Sequence, residues 1–489
     1  MMQHIWENIL YHLQYRPDAP MIFSSALFWC LFIVVMPLYA MIKRSRTQMV
    51  LFVVAFSLYF YYKSSGLFFL LLVGTSLVDW TLSRLLVKLI SIAARRLCVA
   101  VSIITSLSVL VYFKYANFFL WNWNQMVEGN FQPLDIILPV GISFYTFQSI
   151  SYIVDVYKGK VEPTARWIDY IFFLSFFPAL VAGPIVRADY FLPQLRNNHP
   201  PLKAEIYWGF WLIIVGILKK AIIADYICQY NDLIFAEPTG YTGFESLMGA
   251  IGYTVQIYCD FSGYSDMAIG IALIMGFRLG INFNFPYKSR NLTDFWRRWH
   301  ISLSSWLRDY LYIPLGGNRK GTLRTYINNF LTMLIGGLWH GAAWKFVFWG
   351  AMHGVGLAVH KACHPWLKRI PDTWPVKAVS WSLTMLYVSM LWVFFRANDW
   401  SDAWLIIHNI FTNFQSATIM PFFQARATWA IMMGIIIVTH ALPTRWVSAI
   451  GRGFVRSNWI IKLVVFIVTV QLVIEFMSAE VMPFIYFQF

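Results

Sequence analysis

An all-helical integral membrane bundle is the fold class this chain predicts, from three observations. Of its 489 residues, 59% are hydrophobic and only 12% are charged, against about 25% charged in soluble domains. The mean hydropathy is +0.58. Apolar runs recur along the whole chain, many near the roughly 20 residues that a helix needs to cross a hydrocarbon core. Helices are expected because each backbone polar group in lipid must be satisfied inside its own segment. No soluble domain, internal repeat or low-complexity tract interrupts the pattern, so residues 1–489 read as a single membrane domain.

In chain order, residues 1–20 come first and are amphipathic, with Trp6, Ile9, Leu10 and Leu13 among polar residues. Pro17 and Pro20 close that stretch, which predicts a helix lying on the membrane surface. Apolar runs follow at 21–42, 49–62, 66–78, 97–120 and 136–156, then at 168–186, 206–224, 253–277 and 326–340. The last are 345–360, 379–395, 428–442 and 460–477. Several are too short to cross alone, which predicts about eleven transmembrane helices plus re-entrant pieces.

A net charge of +15 would point to nucleic acid in a soluble protein. Here Lys43, Arg44 and Arg46, then Arg84, Lys88, Arg95 and Arg96, flank apolar runs. In that position they act as cytoplasmic anchors beside anionic membrane lipid, and no nucleic-acid partner is expected. The five cysteines are scattered, without the spacing of a disulfide framework or a zinc site.

The early spans read as scaffold, since Asp79 and Lys114 are their rare ionisable residues. Polar character begins at LPVGISFYTFQSISYIVDVYKG. In the following FFPALVAGPIVRADYFLPQL, Pro178, Gly183 and Pro184 interrupt an apolar run. A broken helix survives at membrane depth only when its freed backbone faces protein or a watery cavity, so a cavity wall and a membrane-edge loop both remain open. The segment YTVQIYCDFSGYSDMAIG carries Gln256, Asp260, Ser262, Tyr264, Ser265 and Asp266, with Gly263 placed to break the helix. The two carboxylates do not share a helical face. They read as a polar network lining a cavity or as a general acid and base.

Residues 282–324 form the longest weakly apolar stretch, a polar basic insert that includes NLTDFWRRWHISLSSWLRDYLYIPLGGNRKG. Arg290, Arg297, Arg298, Arg308, Arg319, Lys320 and Arg324 concentrate positive charge there, with Asp294 and Asp309 as partners. Guanidinium forks suit phosphate; holding a phosphorylated thioester donor and fixing topology are both open roles. Trp296, Trp299, Trp306, Tyr310 and Tyr312 read as interfacial anchors. His340 ends the apolar run LTMLIGGLWHG, where Gly336, Gly337 and Gly341 allow close approach. It is either a satisfied helix-end residue or a general base, since an unperturbed imidazole titrates at about 6.5. His353, His360 and His364 lie along one helical stripe. No carboxylate or cysteine completes a ligand set there, and no metal is expected.

Taken together, FFPALVAGPIVR, YCDFSGYSDMAIG, NFNFPYKSRNLTDFWRRWHISLSSWLRDYLYIPLGGNRKG and GGLWHGAAWKFVFWGAMHG resemble the membrane-bound O-acyltransferase family, in its bacterial alginate O-acetyltransferase-like branch. The resemblance implies a many-helix fold with a thin central waist between two funnels. It places the family's near-invariant catalytic histidine at His340 and a second at His300. The implied donor is cytoplasmic acetyl-CoA, whose phosphates would meet Arg297, Arg298, Arg308, Arg319 and Lys320. The implied product is an O-acetylated exported or cell-wall polysaccharide, alginate-like, cellulose or peptidoglycan. It would be made at the cell inner membrane with an extracytoplasmic (periplasmic) acetyltransferase as partner. The chain ends in FIYFQF over the tail 483–489, similar to a terminal F-x-Y-x-x-F motif of related systems. That likeness implies Tyr486 as an acyl relay; a hydrophobic tail resting on the membrane is the other reading. Two rival functions are a transporter or flippase, and a lipid or protein acyltransferase. The lack of an internal repeat argues against the first.

Overall fold

The structure, a computed structural model, describes residue 7, residues 11–197 and residues 200–476. Among these every regular element is a helix. Most of the surface helix expected over 1–20, and the whole tail 483–489 with Tyr486, lie outside the described residues.

Among the described residues five helices are long and apolar enough to cross a membrane: Arg46–Leu86, Ile92–Val127, Lys203–Ala236, Trp374–Arg396 and Trp459–Phe476. Ser416–Ala425 and Ala427–Ala441 turn by 92° against each other and make a sixth if they form one broken span. The runs 49–62 and 66–78 are one helix rather than two, because a short tight turn at Gly66–Phe68 carries the chain on. Of Trp459–Phe476 only Thr469 is buried, while Ile460, Val464, Phe466 and Ile474 are exposed. A helix that apolar and that uncovered is satisfied by lipid.

The chain divides into two compact units. The first comprises Met1–Gly209 and Met267–Gly280. Its centre is the helix Ile142–Tyr157, buried almost all round although it carries Thr146, Gln148, Ser149 and Asp155. Phe23, Phe28, Phe56, Phe60 and Phe177 pack ring against ring in the same unit. The Asp79 carboxylate is buried and accepts from the hydroxyls of Ser102 (2.9 Å), Ser149 and Tyr170 (3.3 Å). Those bonds are what make a carboxyl group tolerable there. The interrupted segment 176–186 is buried throughout, with its one short helix at Phe177–Leu180. Its broken backbone therefore faces protein.

The second unit comprises Phe210–Asp266 and Ile281–Phe489. Helix Gly243–Met275 runs unbroken through Gly263. A Cβ on Gly263 would stand 2.7 Å from the Gly216 carbonyl oxygen and 3.0 Å from the Lys220 nitrogen. The glycine is there for close helix packing, not as a break. The widened helical turn Leu218–Ala224 presents Lys219 to Asp266 at 2.7 Å, and Lys220 to Asp225 at 2.8 Å and Asp260 at 2.5 Å. Each carboxylate of that segment thus has its own ammonium partner.

Candidate active site

The insert folds as a tight turn at Pro286–Lys288, two short helices, Leu292–Arg298 and Ile301–Leu307, and a widened helical turn at Arg308–Tyr312. Asn291 caps Leu292–Arg298 by accepting from the Asp294 backbone N–H at 2.8 Å, and Arg297 and Arg298 close the last turn. This is the charge order a helix dipole favours. Arg298 pairs with Asp294 at 2.9 Å and Arg308 with Asp309 at 2.8 Å, as the sequence predicts. Arg297, Arg319 and Lys320 are exposed. Trp299, expected as an interfacial anchor, is buried instead. It stacks on Phe295 with centroids 5.7 Å apart and lies 5.0 Å from Trp392. A tryptophan that follows two arginines looks interfacial in a sequence, but here the short helix turns it into the aromatic core.

His300 sits between the two short helices with φ 42° and ψ 56°. A non-glycine residue in that left-handed region is strained and needs surroundings that hold it. The Ile301 N–H donates to the Asn282 carbonyl at 2.9 Å, and the Asn284 N–H to the Arg298 carbonyl at 3.0 Å. The Asn282 side-chain Oδ1 accepts from the Ser302 N–H (3.2 Å), the Ser302 hydroxyl (2.9 Å) and His300 Nδ1 (3.1 Å). Because a backbone N–H can only donate, that Asn282 atom is the carbonyl oxygen. His300 therefore carries its proton on Nδ1 and its lone pair on Nε2. The imidazole is fully buried, edge-on to Phe261 at 4.6 Å. Burial pushes its pKa down to about 3, so the ring is neutral at pH 7.

His340 is the last residue of helix Thr322–His340 and is buried. Aromatic rings enclose it: Trp339 at 5.0 Å, Trp349 at 5.1 Å and Phe395 at 5.3 Å. The Trp339 ring is also 6.1 Å from the His300 ring, so one indole lies beside both histidines. Glycine sets how tightly this corner closes. A Cβ on Gly341 would stand 2.1 Å from a Phe346 ring carbon, and one on Gly337 would stand 2.3 Å from the Phe346 carbonyl. The chain can thus reverse from Thr322–His340 into Trp344–Leu367 within three residues and keep His340 against Trp349.

His353 was legible only as one of a stripe. In the structure it is fully buried, 4.6 Å from Trp349 and 5.0 Å from Trp296. Among the described residues neither of its ring nitrogens has a hydrogen-bond partner, nor do the indole nitrogens of Trp296 and Trp349. Buried polar atoms are nearly always paired, so this cluster has the donors and acceptors that a carbonyl, a hydroxyl or water would satisfy. His360 and His364 diverge from it: His360 Nδ1 lies 3.0 Å from the Thr293 hydroxyl. Asn282 was the larger omission. It opens the NFNFP motif but lies far from His300 in sequence, and no helical or strand period links the two.

The MBOAT, membrane-bound O-acyltransferase family matches residues 165–398. A probable alginate O-acetylase AlgI of Pseudomonas aeruginosa is 42% identical over 80% of this chain and 75% of its own length. A peptidoglycan O-acetyltransferase of Helicobacter pylori is 39% identical over 72% of each chain. A probable alginate O-acetylase AlgI of Pseudomonas putida is 37% identical over 96% of this chain and 100% of its own. Relatedness of that extent, on an all-helical scaffold with several membrane-length apolar helices, places the chain in the membrane-bound O-acyltransferase family as a multi-pass membrane O-acyltransferase.

Proposed function

We propose that this chain takes an acetyl group from cytoplasmic acetyl-CoA and moves it across the cell inner membrane for O-acetylation of an exported or cell-wall polysaccharide. The relatives named alginate O-acetylase and peptidoglycan O-acetyltransferase support that substrate class. The observation that carries the reading is the setting of His340. It is a buried imidazole at a helix end, against a Trp349 indole whose N–H has no acceptor among the described residues. In our reading His340 is the base. It takes the proton of an attacking hydroxyl as the new C–O bond forms at the thioester carbonyl. The C–S bond then breaks and the thiolate leaves, to be protonated as coenzyme A. The Trp349 N–H suits the carbonyl oxygen where negative charge develops.

His300, neutral and fixed in one tautomer, serves as a second polar group at the site. Arg297, Arg319 and Lys320, which are exposed, and Arg298 and Arg308, which are paired with carboxylates, would receive the donor's phosphates. The attacking hydroxyl is assigned to Tyr486 as an acyl relay toward a periplasmic acetyltransferase. In this reading the two units act as one MBOAT-type domain over 1–489, with about eleven spans and a thin waist where two funnels meet.

The test is mass analysis of the C-terminal peptide after incubating the purified chain with labelled acetyl-CoA. Acetyl on Tyr486 is expected in the native chain. In His340→Ala it should fall by about 100-fold or more, the usual contribution of a positioned base. Full polymer acetylation in Tyr486→Phe would discard the relay, and undiminished transfer by His340→Ala would discard the base.

A further inference from the structure

The first unit holds a cavity of about 610 Å³ that no part of the acyl-transfer reading uses. Its size falls in the range of small-ligand sites, about 300–1,000 Å³. Four arginines line it, Arg46, Arg84, Arg166 and Arg196. The carboxylates nearby do not balance them. Asp169 takes Arg166 in a two-pronged pair at 2.9 and 3.1 Å and also accepts from Arg46 at 3.1 Å. Glu162 is 87% exposed and 3.7 Å from Arg196, a separation and exposure at which an ion pair is worth little. Arg84 makes no ion pair among the described residues. One positive charge in the cavity wall thus has no ion pair there, and a second has only a solvent-exposed one.

The wall is also built to donate. The backbone of Thr164 is tied on both sides: its N–H donates to the Tyr152 hydroxyl at 3.1 Å, and its carbonyl accepts from Trp80 Nε1 at 3.0 Å. Thr164 is only 3% exposed, yet its hydroxyl has no partner among the described residues; nor does the buried Arg46 Nε. Leu192 and Leu195 line the cavity too and give it an apolar side. Planar guanidinium groups and a hydroxyl around an open volume match the acceptor oxygens of phosphate. The apolar wall admits the organic part that carries the phosphate.

We propose that this cavity is a binding site for a phosphate-bearing amphiphile, held by Arg84, which makes no ion pair among the described residues, by Arg196, whose pairing with Glu162 is solvent-exposed, and by the Thr164 hydroxyl. The chemistry is shared by an anionic phospholipid headgroup and by a soluble phosphorylated metabolite, and none of the histidines of the acyl-transfer reading lines the cavity.

The test uses the purified full chain in two arms. Native mass spectrometry measures retention of phosphatidylglycerol against phosphatidylethanolamine supplied in equal amount; equilibrium dialysis measures coenzyme A. One probe is expected to bind, and Arg84→Gln combined with Arg196→Gln should weaken it about ten-fold or more. A change in the lipid arm identifies a headgroup, and a change in the coenzyme A arm identifies a soluble ligand. Thr164→Val keeps every charge and should weaken the same probe by a factor of about three or more, so the proposal stays testable if the double variant does not fold. It is overturned if the native chain binds neither probe. It is equally overturned if binding is the same in native and variant proteins. Neither readout depends on acetyl transfer.

Discussion

His300 shows how much a single side chain depends on neighbours distant in sequence. Its buried, neutral state gives stability a definite pH dependence. An unfolded chain takes up a proton on this residue below about pH 6.5, while the folded chain resists protonation down to about pH 3. The folded state therefore binds fewer protons than the unfolded one in that window. Its stability is complete above about pH 6.5 and declines as pH falls, by up to ~1.4 kcal/mol per pH unit for one proton. Replacing His300 with Gln should remove that part of the acid slope. Thermal unfolding of the detergent-solubilised protein between about pH 6.5 and 4.5 reads it, and equal slopes for both proteins would refute the assignment. The residue types at this site were legible because histidine and arginine are conspicuous in apolar sequence. The Asn282 clamp was not, since nothing local marks an asparagine as the acceptor for a loop eighteen positions on.

Helix termini and glycines decide the next scale. The Asn291 cap and the apolar runs were readable from residue type alone, because capping and hydrophobicity are local properties. Close packing is not local. Gly263 looked like a break and proved to be a contact, and the two runs on either side of Gly66 proved to be one helix. The hairpin of Thr322–His340 and Trp344–Leu367 gives a sharp comparison. Gly350 would place a Cβ 2.4 Å from the Met333 carbonyl, against 2.3 Å from the Phe346 carbonyl for Gly337. Gly337→Ala should cost about 1–3 kcal/mol through overpacking and reduce acyl transfer by shifting His340. Gly74→Ala, where nothing lies within 4 Å, should stay within ~0.5 kcal/mol of the native protein. Thermal shift and transfer rates measured side by side check both, and equal losses at the two glycines would contradict this packing account.

Across the whole molecule, sequence conveys that the chain is a helical membrane protein because composition averages over hundreds of residues. It does not convey where the buried charges meet. Lys220 is 2% exposed and faces both Asp225 and Asp260. Asp225 is five residues on in the same span, Lys203–Ala236, but Asp260 belongs to the separate apolar run 253–277. Lys220→Met should destabilise the protein by about 3–5 kcal/mol, since it strands two carboxylates in a dry interior. Adding Asp225→Asn and Asp260→Asn should restore most of the loss. A melting temperature for the triple variant no higher than for Lys220→Met would count against a charge network as the cause.

The Asn282 contact has one more chemical consequence. An imidazole passes a proton onward by accepting it on one nitrogen and releasing another from the opposite side, which exchanges its tautomer. In His300 the Nδ1 hydrogen is committed to an oxygen that already holds two Ser302 donors, and that oxygen has no basicity with which to take the proton away. The ring can receive at Nε2 but has no outlet at Nδ1. It is a dead end for proton conduction, so in the proposed reaction the hydroxyl proton that His340 takes would not pass through this ring.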